Sequence, residues 1–553
     1  MTPNKFLAVL AAAVLPLLSV SAEAQVSPQQ LLDADKTPGD WLLYHGNYDG
    51  KRYSTLDQIT QANVDNLELK WIWQVRSRAG ASEKFEATPL VFDEVMYTVS
   101  PPNDVIALDP RTGRVFWTYN YTPDQNARVC CGRVNRGLAV HGDTLFMGAI
   151  DGHLLAIDRI SGQLKWNINI GDPSLGYALT VAPLVVGDKV IVGPAGGEFG
   201  IRGFIAAYDV NTGAELWRFN TVPGPGEPNF DTWEDPEQEA WKLGGGSIWT
   251  TGSYDPELNL MYWGVGNPGP DWNGDSRPGD NLYTESLVAL NPDTGERVWH
   301  YQFTPHDEMD YDATQVPVLA EIEWQGQLRK VLITANRNGI FYVLDRTTGE
   351  FLLGKPFVTV NWMDGNFDVK GRPNRVLSPT EGGTLIMPNN QGATNWYSPS
   401  FSPKTGLFYV PTWLDTYSVY TKRPVEYVPG QTYVGAYPTM AMPALSVRLT
   451  NQRIPEEGQG AIQAIDPGTG EIVWRHVMTD VTDSGVLSTS TNLVFAGGRE
   501  GVFYALNAET GEELWRQNLG GQVASGPISF ELDGKQYIAV SAGAGLFVFG
   551  LRD

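Results

Sequence analysis

The chain has 553 residues, enough to bury a large core, and carries 63 Asp and Glu against 39 Lys and Arg. Counterion release gives a polyanion no reason to bind so acidic a surface, so nucleic acid is excluded as a partner and a basic protein suits it better. Gly 60, Pro 37, Trp 18 and Tyr 23 describe a turn-rich, aromatic, all-β chain.

Residues 1–24 read as an export signal: Lys5, an apolar run from Phe6 to about Val20, then Ala22-Glu23-Ala24 as a small-x-small cleavage site. A retained, signal-like anchor is the alternative. No later stretch has the ~18 apolar residues of a membrane span, so cleavage near Ala24 would release a soluble chain, 25–553, expected in the periplasm.

An eleven-residue pattern then recurs. It runs small or aliphatic, hydrophobic, Asp or Asn, two variable residues, Ser or Thr, Gly, three variable residues, Trp. It reads ALDPRTGRVFW at 107, AIDRISGQLKW at 156, AYDVNTGAELW at 207, ALNPDTGERVW at 289, AIDPGTGEIVW at 464 and ALNAETGEELW at 505. A degenerate copy, VLDRTTGEFLL at 343, ends in Leu353. Each copy predicts a strand, a tight turn in which Asp or Asn bonds the backbone and Gly supplies a positive φ, and a second strand delivering Trp to a core. Repeats spaced by roughly 40 to 50 residues, each with four short strands, predict a β-propeller. Seven copies are visible, and an eroded eighth is expected near WYSPSFSPKTGLFYV at 396–410, giving an eight-bladed β-propeller in a single domain.

Between the repeats lie residues suited to chemistry. In RVCCGRVNRG at 128–137 stand the only two cysteines, Cys130 and Cys131. A bridge between neighbours holds the Cα atoms about 3.8 Å apart and adds almost no loop constraint, so ordinary stapling does not explain it. An oxidising compartment favours the bridge, and two reduced core thiols are the alternative. AGGEFGIRG at 195–203 places Glu198 among glycines, and WKLGGGSIWTTGSYDP at 241–256 offers Ser247 and Trp249, the latter readable as core. GVGNPGPDW at 264–272 holds Asn267 in a rigid turn. HDEMDYDA at 306–313 gathers Asp307, Glu308, Asp310 and Asp312. Charges that close repel unless they are solvated or gathered around something positive. In an extended chain Asp310 and Asp312 would point the same way, ~7 Å apart, into one pocket.

Together, the tryptophan repeats, GDWLLYHGNYDGKRYS at 39–54 and RPGDNLYTESLVALNPDTGERVWHYQFTPHDEMDYDA at 277–313 resemble the pyrroloquinoline quinone (PQQ) dependent alcohol dehydrogenases of the methanol and ethanol type, over nearly the whole mature chain. The resemblance implies that Asp310 is the catalytic base and that Glu198, Asn267 and Asp310 bind the metal beside PQQ. An Asp at the position of Asp312 is what the lanthanide-using members carry, since a trivalent ion needs more oxygen ligands and more negative charge than calcium. Calcium stays open as the alternative. The resemblance further implies a Cys130–Cys131 disulfide against one face of PQQ and Trp249 against the other. Ser247, Gly196, Gly197, Arg136, Glu86 in FEATPLV, Thr180 in LTVAP, Arg337 in ANRNGIFYVL and Asn395 in GATNW match further cofactor contacts. Asn395 is the weakest match, because related enzymes often have Lys where this chain has Thr394.

The implied activity is oxidation of a primary alcohol to an aldehyde, with the metal polarising the quinone, Asp310 taking the hydroxyl proton and Arg337 steadying both. Adjacent cysteines cannot form a CxxCH haem site, so electrons are expected to pass to a separate soluble cytochrome c. Competing readings are a PQQ dehydrogenase of polyols, sugars or polymer alcohols, a non-catalytic propeller scaffold, and a glycosidase using paired carboxylates. A homodimer is left open. The C-terminal segment has no Trp where methanol enzymes place an aromatic lid; Phe547 or Phe549 is the candidate substitute, and a wider pocket is the alternative.

Overall fold

The computed structural model describes residues 25–75, 84–436 and 459–552; the expected export signal lies outside them. Its main sheets form eight blades, each a four-stranded antiparallel meander; Tyr53–Ser54 adds a short parallel strand to one of them, and two small two-stranded sheets lie outside the blades. Blade 1 is built from Leu90–Phe92, Val95–Ser100, Asp104–Leu108 and Val115–Tyr119, and blade 5 from Val318–Trp324, Gln327–Ala335, Ile340–Asp345 and Phe351–Pro356. The first strands Leu90–Phe92 and Ala139–His141 are almost wholly buried, whereas the fourth strand Leu164–Asn169 alternates exposed and half-buried positions. The inside-to-outside order of each blade follows from that gradient.

The recurring turn explains how blades join. In blade 1 the Asp109 carboxylate accepts from the Arg111 amide at 2.9 Å, and Gly113 takes φ +71°. Gly113 has a second reason to lack a side chain: a Cβ there would stand 2.7 Å from the ring of Trp71. The same packing repeats. Trp117 lies on Gly162, Trp166 on Gly213, Trp217 on Gly295, Trp299 on Gly349 and Trp474 on Gly511. Each of these indoles also donates Nε1–H to a carbonyl of the next blade, at 2.9–3.2 Å. The tryptophan is therefore the contact between blades rather than part of its own blade's core. Leu353 fills the equivalent place beside Gly470.

One expectation is corrected. Residues 396–410 are not an eroded eighth copy. They supply Ser400–Ser402 and the start of Leu407–Trp413, the first two strands of the blade completed by Gly460–Ile465 and Ile472–Val477, which already owns the repeat at 464. The eighth blade joins the chain ends: Ile528–Leu532, Lys535–Ala542 and Gly545–Leu551 receive Leu67–Gln74 as the outer strand, Leu67 opposite Leu551 and Gln74 opposite Gly545. Its tryptophan is Trp71, whose Nε1–H donates to the Pro110 carbonyl at 2.9 Å. No hairpin from the same blade leads into Trp71, so no eleven-residue pattern could mark it.

Phe547 and Phe549 belong to this closing blade, both buried, with Phe549 against the rings of Phe503 and Trp515. Neither caps a pocket. No helix among the described residues is long and apolar enough to cross a membrane.

Candidate functional site

In an antiparallel four-stranded meander, the connection into the first strand and the connection from second to third strand lie at the same end. Every residue expected at the site lies on one of these two connections. Glu86, Arg136, Thr180, Ser247, Trp249, Asp310, Asp312 and Asn395 precede first strands, while Glu198, Asn267 and Arg337 join second strands to third. One end of the propeller thus carries them all.

The acids of 306–313 are divided among different tasks. Asp307 is fully buried and accepts the amides of Asp310 (2.8 Å), Met309 (3.2 Å) and Tyr311 (3.3 Å), tying the turn. Glu308 pairs with Arg375 and accepts the Gly274 amide at 3.0 Å. Only Asp310 and Asp312 face the site. They do not converge by strand alternation, because Asp310 is left-handed at φ +60°. Convergence comes from Arg337, whose guanidinium lies 2.9 Å from Asp310 Oδ2 and also pairs with Asp312 Oδ2. Its Nε–H donates to the Asn390 carbonyl at 2.9 Å.

Asp312 Oδ1 accepts the backbone N–H of Asn267 at 2.9 Å, which brings the Asn267 turn against the acid pair. Gly266 makes this approach possible: a Cβ there would stand 2.5 Å from Asp312 Oδ1 and 2.6 Å from Ser247 Oγ. A Cβ on Gly197 would lie 3.5 Å from Ser247 Oγ and 3.6 Å from Asn267 Oδ1, so Glu198, on its one-turn helix Gly197–Phe199, is next to the same group. Gly196, φ +113°, is required by backbone, since a Cβ would strike the Gly176 carbonyl.

A second group surrounds Arg136. Its guanidinium pairs with buried Glu86 at 3.0 Å and donates to Thr180 Oγ1 at 3.0 Å and the Trp249 carbonyl at 3.1 Å. It also stands 4.9 Å from the Trp249 ring centre and 5.2 Å from that of Trp396. Cys130 and Cys131 form a disulfide, and Cys131 Sγ lies 3.6 Å from Glu198 Oε1. The structure does not turn Asn395 toward either group in the same way: its amide closes on its own loop, donating to the Gln391 carbonyl and accepting the Trp396 amide, both at 2.9 Å.

Two acids join the site that the sequence reading passed over. Asp271, 1% exposed, stands beside Asn267 and faces Asp310, Glu198 and Asp312. Glu285, fully buried, faces Asp307, Asp312 and Asp310 and has no hydrogen-bond partner on either oxygen among the described residues. Both lay in segments quoted above, four residues past Asn267 and within RPGDNLYTESLVAL. Nothing local distinguishes them from solvated turn acids.

Of the five carboxylates Glu198, Asp271, Glu285, Asp310 and Asp312, only Asp310 and Asp312 pair with a guanidinium, that of Arg337. Burial, opposed by Arg337 and reinforced by neighbouring acids, holds Asp310 well above the usual carboxylate range. Glu198 is pushed to about 7, by burial first and by Asp312 among the charges. Asp271 and Glu285 are raised strongly, again by burial first. Buried carboxylates without partners are costly, and a hard cation with oxygen ligands removes that cost. The donor set therefore fits a metal. It also fits an anionic planar cofactor, because Arg136 Nε, beside the Trp249 and Trp396 rings, and Thr394 Oγ1 are buried without hydrogen-bond partners among the described residues.

An aromatic segment lies against this site from the insertion that follows Trp413. The Tyr433 amide donates to the Glu198 carbonyl at 2.6 Å, the Trp272 amide donates to Val434, and Tyr427 and Tyr433 pack at Gly200.

A family model described as "PQQ: Glucose/ethanol/alcohol dehydrogenase, beta-propeller domain" matches residues 41–360 and 369–538. The quinohemoprotein alcohol dehydrogenase ADH-IIG of Pseudomonas putida is 39% identical over 98% of this chain and 78% of its own. The quinoprotein alcohol dehydrogenase PedH of Pseudomonas putida KT2440 is 37% identical over 96% of this chain and 90% of its own. Among solved structures, a europium-containing methanol dehydrogenase superposes with a TM-score of 0.86 at 34% identity, covering 95% of this chain and all of the other.

Proposed function

The chain belongs to the PQQ-dependent alcohol dehydrogenase family, and from that premise we propose that it oxidises a primary alcohol to an aldehyde with PQQ and a lanthanide ion. The observation that carries the metal reading is Asp312: a second carboxylate, on the same guanidinium as Asp310 and bonded to the Asn267 amide, beside Glu198. When bound, PQQ supplies a two-electron acceptor and the metal a Lewis acid beside it.

The chain's own residues do the rest. Glu198, Asn267, Asp310 and Asp312 would hold the ion, and Arg136, Glu86, Thr180, Ser247, Gly196, Gly197, Asn395, Trp249 and the Cys130–Cys131 disulfide would frame the cofactor. Asp310 accepts the alcohol's hydroxyl proton. Beside a cation its carboxylate stays ionised, so its contribution is position more than basicity. Arg337 keeps Asp310 aimed and supplies positive charge where negative charge develops. The segment carrying Tyr427 and Tyr433 limits the space beside Glu198 and takes the role assigned to Phe547 or Phe549 on sequence alone. Export to the periplasm and electron transfer to a separate cytochrome c with a basic face complete the reading; the acidic balance of the chain supports the latter.

The test is dye-linked oxidation of a series of alcohols by protein purified without cofactor and supplied with PQQ and either lanthanum or calcium. Lanthanum-dependent activity that disappears in Asp312→Ala supports the reading. Activity with calcium alone removes the lanthanide, and absence of PQQ binding removes the enzyme assignment.

A further inference from the structure

We propose that Asp271 is an additional carboxylate ligand of this site's cation and biases it toward trivalent over divalent ions; the inference rests on the metal-site reading above. The turn bearing it is fixed on both sides. The Gly246 amide donates to the Asn267 carbonyl at 2.9 Å, the Gly269 amide to Gly244 at 3.0 Å, the Trp272 amide to Val434 at 2.9 Å, and Arg277 Nη2 to the Pro270 carbonyl at 2.7 Å. Asp271 is thereby held at 1% exposure beside Asn267, facing Glu198, Asp310 and Asp312.

Its Oδ1 is buried with no hydrogen-bond partner among the described residues. The cationic side chains nearby are otherwise engaged. Arg337 donates to Asp310, Asp312 and Asn390, and Arg277 to Asn281, Pro270 and Asp307. Apart from the Asn267 side-chain amide, the groups that face it are other acids. A cation shared with Glu198, Asp310 and Asp312 satisfies the orphaned oxygen and relieves the mutual repulsion at once. Because Coulomb energy scales with the product of charges, removing one carboxylate weakens a trivalent ion more than a divalent one, in the ratio three to two on a logarithmic scale.

The experiment uses the full mature chain, metal-free and PQQ-loaded, titrated with Eu³⁺ by luminescence and with Ca²⁺ by competition. Coordinated water is counted from lifetimes in H₂O and D₂O. For Asp271→Asn the expected result is a Ca²⁺ affinity lower by about tenfold, a Eu³⁺ affinity lower by about thirtyfold, and added coordinated water. Metal-free Asp271→Asn should melt no lower than the parent, because the orphaned Oδ1 has no hydrogen bond to lose. Asp271→Ser, measured in parallel, has to show the same loss. Unchanged affinity and hydration in either folded variant overturns the assignment of Asp271 while leaving the metal site standing. A parent protein that binds no Eu³⁺ overturns both.

Discussion

The Asn267 backbone N–H points at Asp312 Oδ1, 2.9 Å away, so the connection inside one blade is bonded to the connection leading into the next. The other Asp312 oxygen holds Arg337. Asp312 is therefore structural before any ion arrives. Asp312→Ala should destabilise the metal-free protein by about 2–4 kcal/mol, through a buried guanidinium left half-paired and an amide left unbonded. Asp312→Asn should cost less, since its carbonyl can still accept. Chemical denaturation of both metal-free variants checks this, and equal stabilities would contradict it.

Metal binding should strengthen as pH rises from about 5 to 7 and then level off. Burial raises Glu198 to about 7, so below that value a proton competes with the ion at this ligand. Raised acids such as Glu198 and Asp307, the latter at about 6, stabilise the metal-free fold below their unfolded pKa near ~4. That contribution is lost as pH climbs through the folded values. The buried His45 and the half-buried His300 are lowered and act in the opposite sense, so the raw melting curve mixes the two. The gain in melting temperature on adding lanthanum isolates the ligands. It should be larger at pH 7 than at pH 5.

Replacing both Cys130 and Cys131 by Ser should change cofactor-free stability by no more than about 1 kcal/mol, because a bridge between adjacent residues closes almost no loop. PQQ affinity, measured by absorbance titration, should fall in the same protein. A large loss of stability with unchanged PQQ binding would place the disulfide in the scaffold instead.

Trp71 should matter more than its place in the sequence suggests. It is buried, packs on Gly113 and bonds the Pro110 carbonyl, so Trp71→Ala should cost about 3–5 kcal/mol, comparable with Trp299→Ala. Equilibrium unfolding of the two variants provides the comparison.

The repeating turns were legible because their physics is local. An Asx residue, a left-handed glycine and a tryptophan at fixed spacing make one hairpin, wherever it lies. Trp71 escaped because the strand that pairs with its own comes from the opposite end of the chain, not from a local hairpin. The acid pair 310/312 was legible as a crowd of charges, yet its geometry was not, since it depends on a left-handed Asp310 and on Arg337 from another connection. Asp271 and Glu285 were hidden for a different reason. Burial is a property of the assembled ring, and an acid in a Gly-Pro turn reads the same whether water or another blade covers it. The C-terminal phenylalanines misled because an aromatic near a chain end looks available, whereas strand Gly545–Leu551 lies inside the closing blade.

That closing blade also sets an order of events. The strand made early, Leu67–Gln74, finds its neighbour only when Gly545–Leu551 has been synthesised, nearly 500 residues later. Until then the ring is a horseshoe with an unpaired edge at each end. Trp71 cannot clamp its own blade to the neighbour before that moment, and the loops carrying Glu86 and Arg136 wait on the open side. Loss of strand Gly545–Leu551 would leave the ring unlatched, with Leu67–Gln74 stripped of its one neighbour and Lys535–Ala542 bare along one side.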